Sequence, residues 1–91
     1  MARRTVRHPN FTKTYGEIQG VFPRAKEFIE GIISLISRDP GLGDRIDGDG
    51  EPVWMVASRL GKGMIPVAVF YQFDRREINL LSIIRTVKDG D

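Results

Sequence analysis

Ninety-one residues, 41% of them hydrophobic, suffice for one domain with a single modest core and exclude a second. Cysteine is absent, which excludes a disulfide framework and any thiolate metal site and suits a reducing cytoplasm. No apolar stretch follows the basic opening Met1-Ala2-Arg3-Arg4, and no run approaches the ~20 apolar residues of a membrane helix, so neither secretion nor membrane insertion is expected.

Thr5-Val6-Arg7-His8 reads as a short first strand, stopped by Pro9. Asn10 is placed to cap a short helix in which Phe11, Tyr15 and Ile18 share one side, with Gly20 as its terminator. Ala25, Phe28, Ile29, Ile32, Ile33 and Ile36 then repeat at the three-and-four spacing that lines one face of a helix, while Glu27, Glu30, Ser34 and Arg38 take the other side. Pro23 suits a first helical position and Asp39-Pro40 ends the run, which predicts a helix from Pro23 to Arg38.

From Gly41 to Pro52 the chain reads as a polar, glycine-rich connection. Pro52 to Arg59, with the single tryptophan Trp54, alternates loosely as a second strand, and Leu60-Gly61-Lys62-Gly63 makes a turn before a third strand beginning near Ile65. Val67 to Phe73 and Ile78 to Arg85 are apolar runs rich in β-branched and aromatic residues, separated by the charged tip Asp74-Arg75-Arg76-Glu77, and they read as a buried hairpin. The resulting expectation is an α+β domain of order β-α-α-β-β-β, in which two helices pack on one face of a small antiparallel sheet.

The net charge is only +2, but the signs are segregated: Asp39, Asp44, Asp47, Asp49 and Glu51 crowd the middle, and Arg59, Lys62, Arg75, Arg76, Arg85 and Lys88 populate the end. Asp47-Gly48-Asp49-Gly50-Glu51 resembles the start of a calcium loop, yet Ser58 stands where the twelfth-position carboxylate is needed, so a solvated turn is the expected role. His8 is the single histidine, which rules out a site of several imidazoles, and Gly61-Lys62-Gly63 lacks the spacing of a phosphate-binding P-loop. In a meander, alternate strands run the same way, so Arg59, Lys62, Arg85 and Lys88 can border one edge of the sheet. Each of the four can equally do no more than solubilise a strand end.

Val6-Arg7-His8-Pro9-Asn10-Phe11-Thr12-Lys13, Asp39-Pro40-Gly41-Leu42-Gly43-Asp44-Arg45-Ile46-Asp47-Gly48, Gly61-Lys62-Gly63, the Val69-Phe70-Tyr71 strand and the Leu80-Leu81 strand occur in an order that resembles RelE/ParE-type toxins, nearest to their HigB-like branch. The resemblance covers most of the chain and implies a single RelE-like toxin domain over residues 1–91. Toxins of the RelE and HigB kinds cut mRNA on the ribosome, without metal or other cofactor, and are held inactive by a cognate antitoxin protein. Those of the ParE kind poison DNA gyrase instead.

Carried over by position, Lys62 matches a loop lysine of the HigB-like branch, and Arg85 and Lys88 match lysines just after its last strand. These are the implied catalytic cations, with Arg59 as a helper, and Tyr71 matches a recurrent strand tyrosine that touches substrate or serves as a core aromatic. The family's arginine three residues before that tyrosine is replaced here by Ala68. A ParE-like gyrase inhibitor that cuts nothing, and a non-toxic module that binds a protein partner, therefore stand as alternatives to the nuclease.

Overall fold

A computed structural model of the chain describes residues 3–46, 50–58 and 66–86. The elements run β1 (Arg4–Arg7), α1 (Pro9–Val21), α2 (Ala25–Arg38), a short 3-10 turn (Pro40–Leu42), β2 (Asp44–Ile46), β3 (Val53–Ala57), β4 (Val67–Phe73) and β5 (Glu77–Arg85). The α+β architecture is as expected, with two differences. The connection after α2 contains an additional strand, and the sheet is mixed: its order is β1-β5-β4-β3-β2, with β1 parallel to β5 and the other neighbours antiparallel.

The first helix begins one residue before the expected cap. His8 is the N-cap and makes no side-chain capping bond, and Pro9 follows at the start of the helix, where its missing N–H costs nothing. Thr12 N–H donates to the His8 carbonyl at 3.0 Å, and the helix continues through Gly20 to Val21. In α2, Glu27 in the first turn and Arg38 in the last complement the helix dipole. Asp39 N–H closes the helix on the Leu35 carbonyl at 3.0 Å, and Pro40 prevents its continuation.

One core lies between the helices and the sheet. Phe11, Tyr15 and Ile18 of α1 meet Ile29, Ile33 and Ile36 of α2 over Val67, Val69 and Tyr71 of β4 and Ile78, Leu80 and Ile83 of β5. Phe11 and Tyr15 pack edge to face with ring centroids 5.9 Å apart. The alternation in β5 is interrupted, since Phe70 pairs with Ser82 but Tyr71 pairs with Leu80, leaving Leu81 as the extra residue of a bulge. The bulge turns Ile83 into the core beside Val69 and sets Arg85 on the same, helix-covered side of the sheet.

Gly31 is exposed in the middle of α2, and a Cβ built there meets nothing within 4 Å. Gly31→Ala removes the entropic cost of a helical glycine without a steric cost, so chemical denaturation should show a gain of about 0.5–1 kcal/mol. Among the described residues no helix is long and apolar enough to cross a membrane.

Candidate functional site

Three strand ends meet at one margin of the sheet. Ser58, just past β3, donates its N–H to the Val67 carbonyl at 2.8 Å, and its hydroxyl accepts the Val67 N–H at 2.9 Å. Val67 opens β4 opposite Arg85, the last residue of β5, and Thr86 N–H donates to the Pro66 carbonyl at 3.0 Å. Arg85 therefore stands where the described backbone leaves β5 and where β3 and β4 are stitched together. Its guanidinium lies 4.6 Å from the centroid of the Phe22 ring, at the C-terminal cap of α1, and it forms no ion pair among the described residues. A cation over an aromatic face keeps its charge and can still attract an anion.

Arg59, Lys62 and Lys88 lie outside the described residues, as does the 47–49 part of the calcium-like loop. The residues that flank the three cations in the chain, Ser58, Pro66 and Thr86, are those joined at this margin. Arg75 and Arg76 are at the opposite end of the sheet, in the β4–β5 tip, where the Asp74 carboxylate accepts the N–H groups of Arg76 at 2.7 Å and Glu77 at 2.9 Å.

Tyr71 has the core role of the two open to it. The residue is 0% exposed, and its hydroxyl donates to the Pro40 carbonyl at 2.5 Å, which ties β4 to the segment after α2. Burial pushes its phenol above the usual range, the charges of Asp39 and Asp44 add to this, and a hydrogen bond from the Gly43 backbone opposes it. Ala68, on the other face of the strand, is 1% exposed and pairs with Ala57 and Ile84, so this face carries no cation at the position of the family arginine.

A second polar cluster joins β1 to both helices. Arg7 donates to both carboxylate oxygens of Glu30, at 3.0 and 3.2 Å, and Tyr15 donates its hydroxyl to Glu30 at 2.7 Å. Burial, reinforced by the adjacent Glu30 carboxylate, pushes the Tyr15 phenol up to about 12. Burial acts to raise the Glu30 carboxyl as well, but the hydrogen bonds from Tyr15 and Arg7 outweigh it and hold the group below its ordinary value.

In the sequence, Tyr15 falls among core positions and Glu30 on the solvent side of α2, with no pattern to connect them. The signal is slight: Glu30 adjoins Ile29 on α2, and Arg7 alternates with Val6, which puts it on the face of β1 opposite to Val6.

The cluster carries a pH prediction. Because Tyr15 binds its proton more tightly when folded, its contribution to stability is fully present below its ordinary value of 10.0 and is lost as the pH rises towards about 12. The unfolding free energy should fall across that window, and less steeply in Tyr15→Phe. Phenolate absorbance should develop at higher pH in the folded chain than in the unfolded one, since both of its tyrosines are raised. Comparison of the chain with family models, with curated proteins and with solved structures finds no match.

Proposed function

We propose that the chain is the toxin component of a type II toxin–antitoxin pair, acting as a metal-independent, ribosome-dependent mRNA endoribonuclease of the RelE/HigB kind in the cytoplasm. The observation that carries the reading is the margin where the ends of β3, β4 and β5 are joined beside Arg85, a cation with no ion pair among the described residues. The fold supports it as well, through the order of β1, two helices on one face, and β3, β4 and β5 as an antiparallel unit. Lys62 belongs to the segment linking β3 to β4, and Lys88 follows Thr86 by two residues, so chain connectivity favours both, with Arg59, as companions of Arg85.

Such a set suits cleavage by the substrate's own 2′-hydroxyl. That reaction asks the protein to hold the backbone in line, to accept a proton and to offset charge on the phosphorus oxygens. Arginine serves only the last task, since it stays protonated, whereas a lysine can accept the proton if neighbouring cations lower its pKa. Tyr71 has no part in the proposal because its hydroxyl is committed within the core.

Purified chain added to ribosomes programmed with a defined mRNA should yield discrete cleavage products at the decoding site; intact mRNA at high protein concentration overturns the nuclease reading. The burial of Ala68 at the place of the family arginine favours one second reading, a ParE-like inhibitor of DNA gyrase. It predicts loss of supercoiling activity with uncut mRNA. Both readings predict growth arrest on induced expression and its relief by a cognate antitoxin. Unimpaired growth favours the non-toxic binding module.

A further inference from the structure

β5 is covered on its outer side along only part of its length. β1 pairs with Glu77 to Leu80 and adds one bond from His8 N–H to the Leu80 carbonyl, at 3.0 Å, before Pro9 turns the chain into α1. From Ser82 to Arg85 the strand is bonded, among the described residues, to β4 alone. Backbone groups alternate in direction along a strand. The bond from Thr86 N–H to Pro66 therefore sends the N–H and carbonyl of Arg85, and those of Ile83 before it, to the open side. Nothing among the described residues satisfies them.

This open edge borders a groove of about 430 Å³ between α1 and β5, whose lining is mixed: Ile18, Val21, Ile83 and Ile84 are apolar, Glu17 and Arg85 are charged, and the remainder are small polar side chains. Val21 is 64% exposed and Ile84 46%, so apolar surface meets water on both sides of the edge. Arg85 adds an exposed cation without an ion-pair partner among the described residues.

We propose that the Ile83–Arg85 edge of β5 receives an extended segment of a partner protein as an added strand, apolar at alternate positions and carrying a carboxylate that pairs with Arg85. The extended form follows from backbone groups that no described residue satisfies, and that a helix, its own ladder closed, does not satisfy either. The alternation follows from Ile18 and Val21 on one side of the edge and Ile84 on the other. The acid follows from Arg85. A second copy of the chain is a poorer occupant, because pairing two β5 edges brings two Arg85 guanidiniums into one groove. The inference stands on the edge geometry and not on the nuclease reading.

Selection from a phage library of random short peptides, followed by amide hydrogen exchange on the labelled chain, tests it. The expected peptides alternate apolar residues and contain Asp or Glu, and their binding slows exchange at the Ile83 and Arg85 amides by about tenfold or more. Val21→Asp should weaken binding by about tenfold or more, and so should Arg85→Glu, with affinity restored when the acid of the peptide is changed to lysine. Should Arg85→Glu fail to fold, Val21→Asp carries the test, since Val21 is exposed at the end of α1. Failure to select any peptide, selection of helical peptides, unchanged exchange at these two amides, or protection that grows with protein concentration alone would each overturn the proposal.

Discussion

Gly43→Ala should destabilise the chain by about 2–4 kcal/mol, seen as a fall in Tm of about 10 °C or more. A Cβ at this position would lie 2.6 Å from the Tyr71 hydroxyl and 2.7 Å from the Met55 carbonyl oxygen, with Val56 Cγ2 at 3.1 Å. Glycine is required here for room and not for a left-handed backbone, since φ is −76°. The Met55 oxygen belongs to β3 where that strand pairs with β2, so relief needs a shift of backbone. The hydroxyl is fixed in turn by Pro40.

Gly41→Ala is the control, because its nearest neighbour would be Asp39 Oδ1 at 3.7 Å, an ordinary contact. It should leave Tm nearly unchanged. Tyr71→Phe alone should cost about 1–2 kcal/mol through the unsatisfied Pro40 carbonyl. Combined with Gly43→Ala it should cost less than the sum of the two, because the closest clash is gone. Strict additivity would show that the hydroxyl does not limit the space at Gly43.

The same contact shows where the sequence stops being legible. α2 could be read because five buried residues, Ala25, Ile29, Ile32, Ile33 and Ile36, repeat along one face and their partners need not be known. β4 and β5 could be read because both are long and apolar, and a short polar tip separates them. β2 could not, since Asp44, Arg45 and Ile46 are all exposed and the strand is defined by its backbone pairing with Val53 to Met55. Nor does any local pattern say that Gly43 lies against a tyrosine 28 positions later, that is, from 43 to 71.

The site divides in the same way. That the ends of β3 and β5 share one margin follows from strand directions alone, and the bonds joining Ser58 to Val67 and Thr86 to Pro66 give that margin its backbone. Which way Arg85 faces does not follow, because strict alternation from Leu80 would place it on the helix-free side. The bulge at Leu81 reverses this and brings the guanidinium over Phe22. Tyr71 was equally open to two roles in the sequence, and a carbonyl from the distant Pro40 supplies the deciding partner.

On programmed ribosomes, under the nuclease proposal, Arg85→Ala and Lys62→Ala should each lower the cleavage rate on the order of a hundredfold, the scale on which one well-placed donor acts on developing charge. The loss should fall mainly on the rate at saturating ribosome, because contacts that strengthen as charge develops act on the transition state more than on binding. Arg85→Lys should recover part of it by restoring the charge without the planar fork. Replacing the attacking 2′-hydroxyl of the mRNA with hydrogen should abolish cleavage while leaving ribosome binding intact, since the nucleophile belongs to the substrate. Cleavage of that deoxy-substituted mRNA would demand a water or protein nucleophile and overturn the mechanism. Full activity in both alanine variants would move the chemistry away from the joined ends of β3, β4 and β5. Ala68, buried in the central strand, offers no cation in their place.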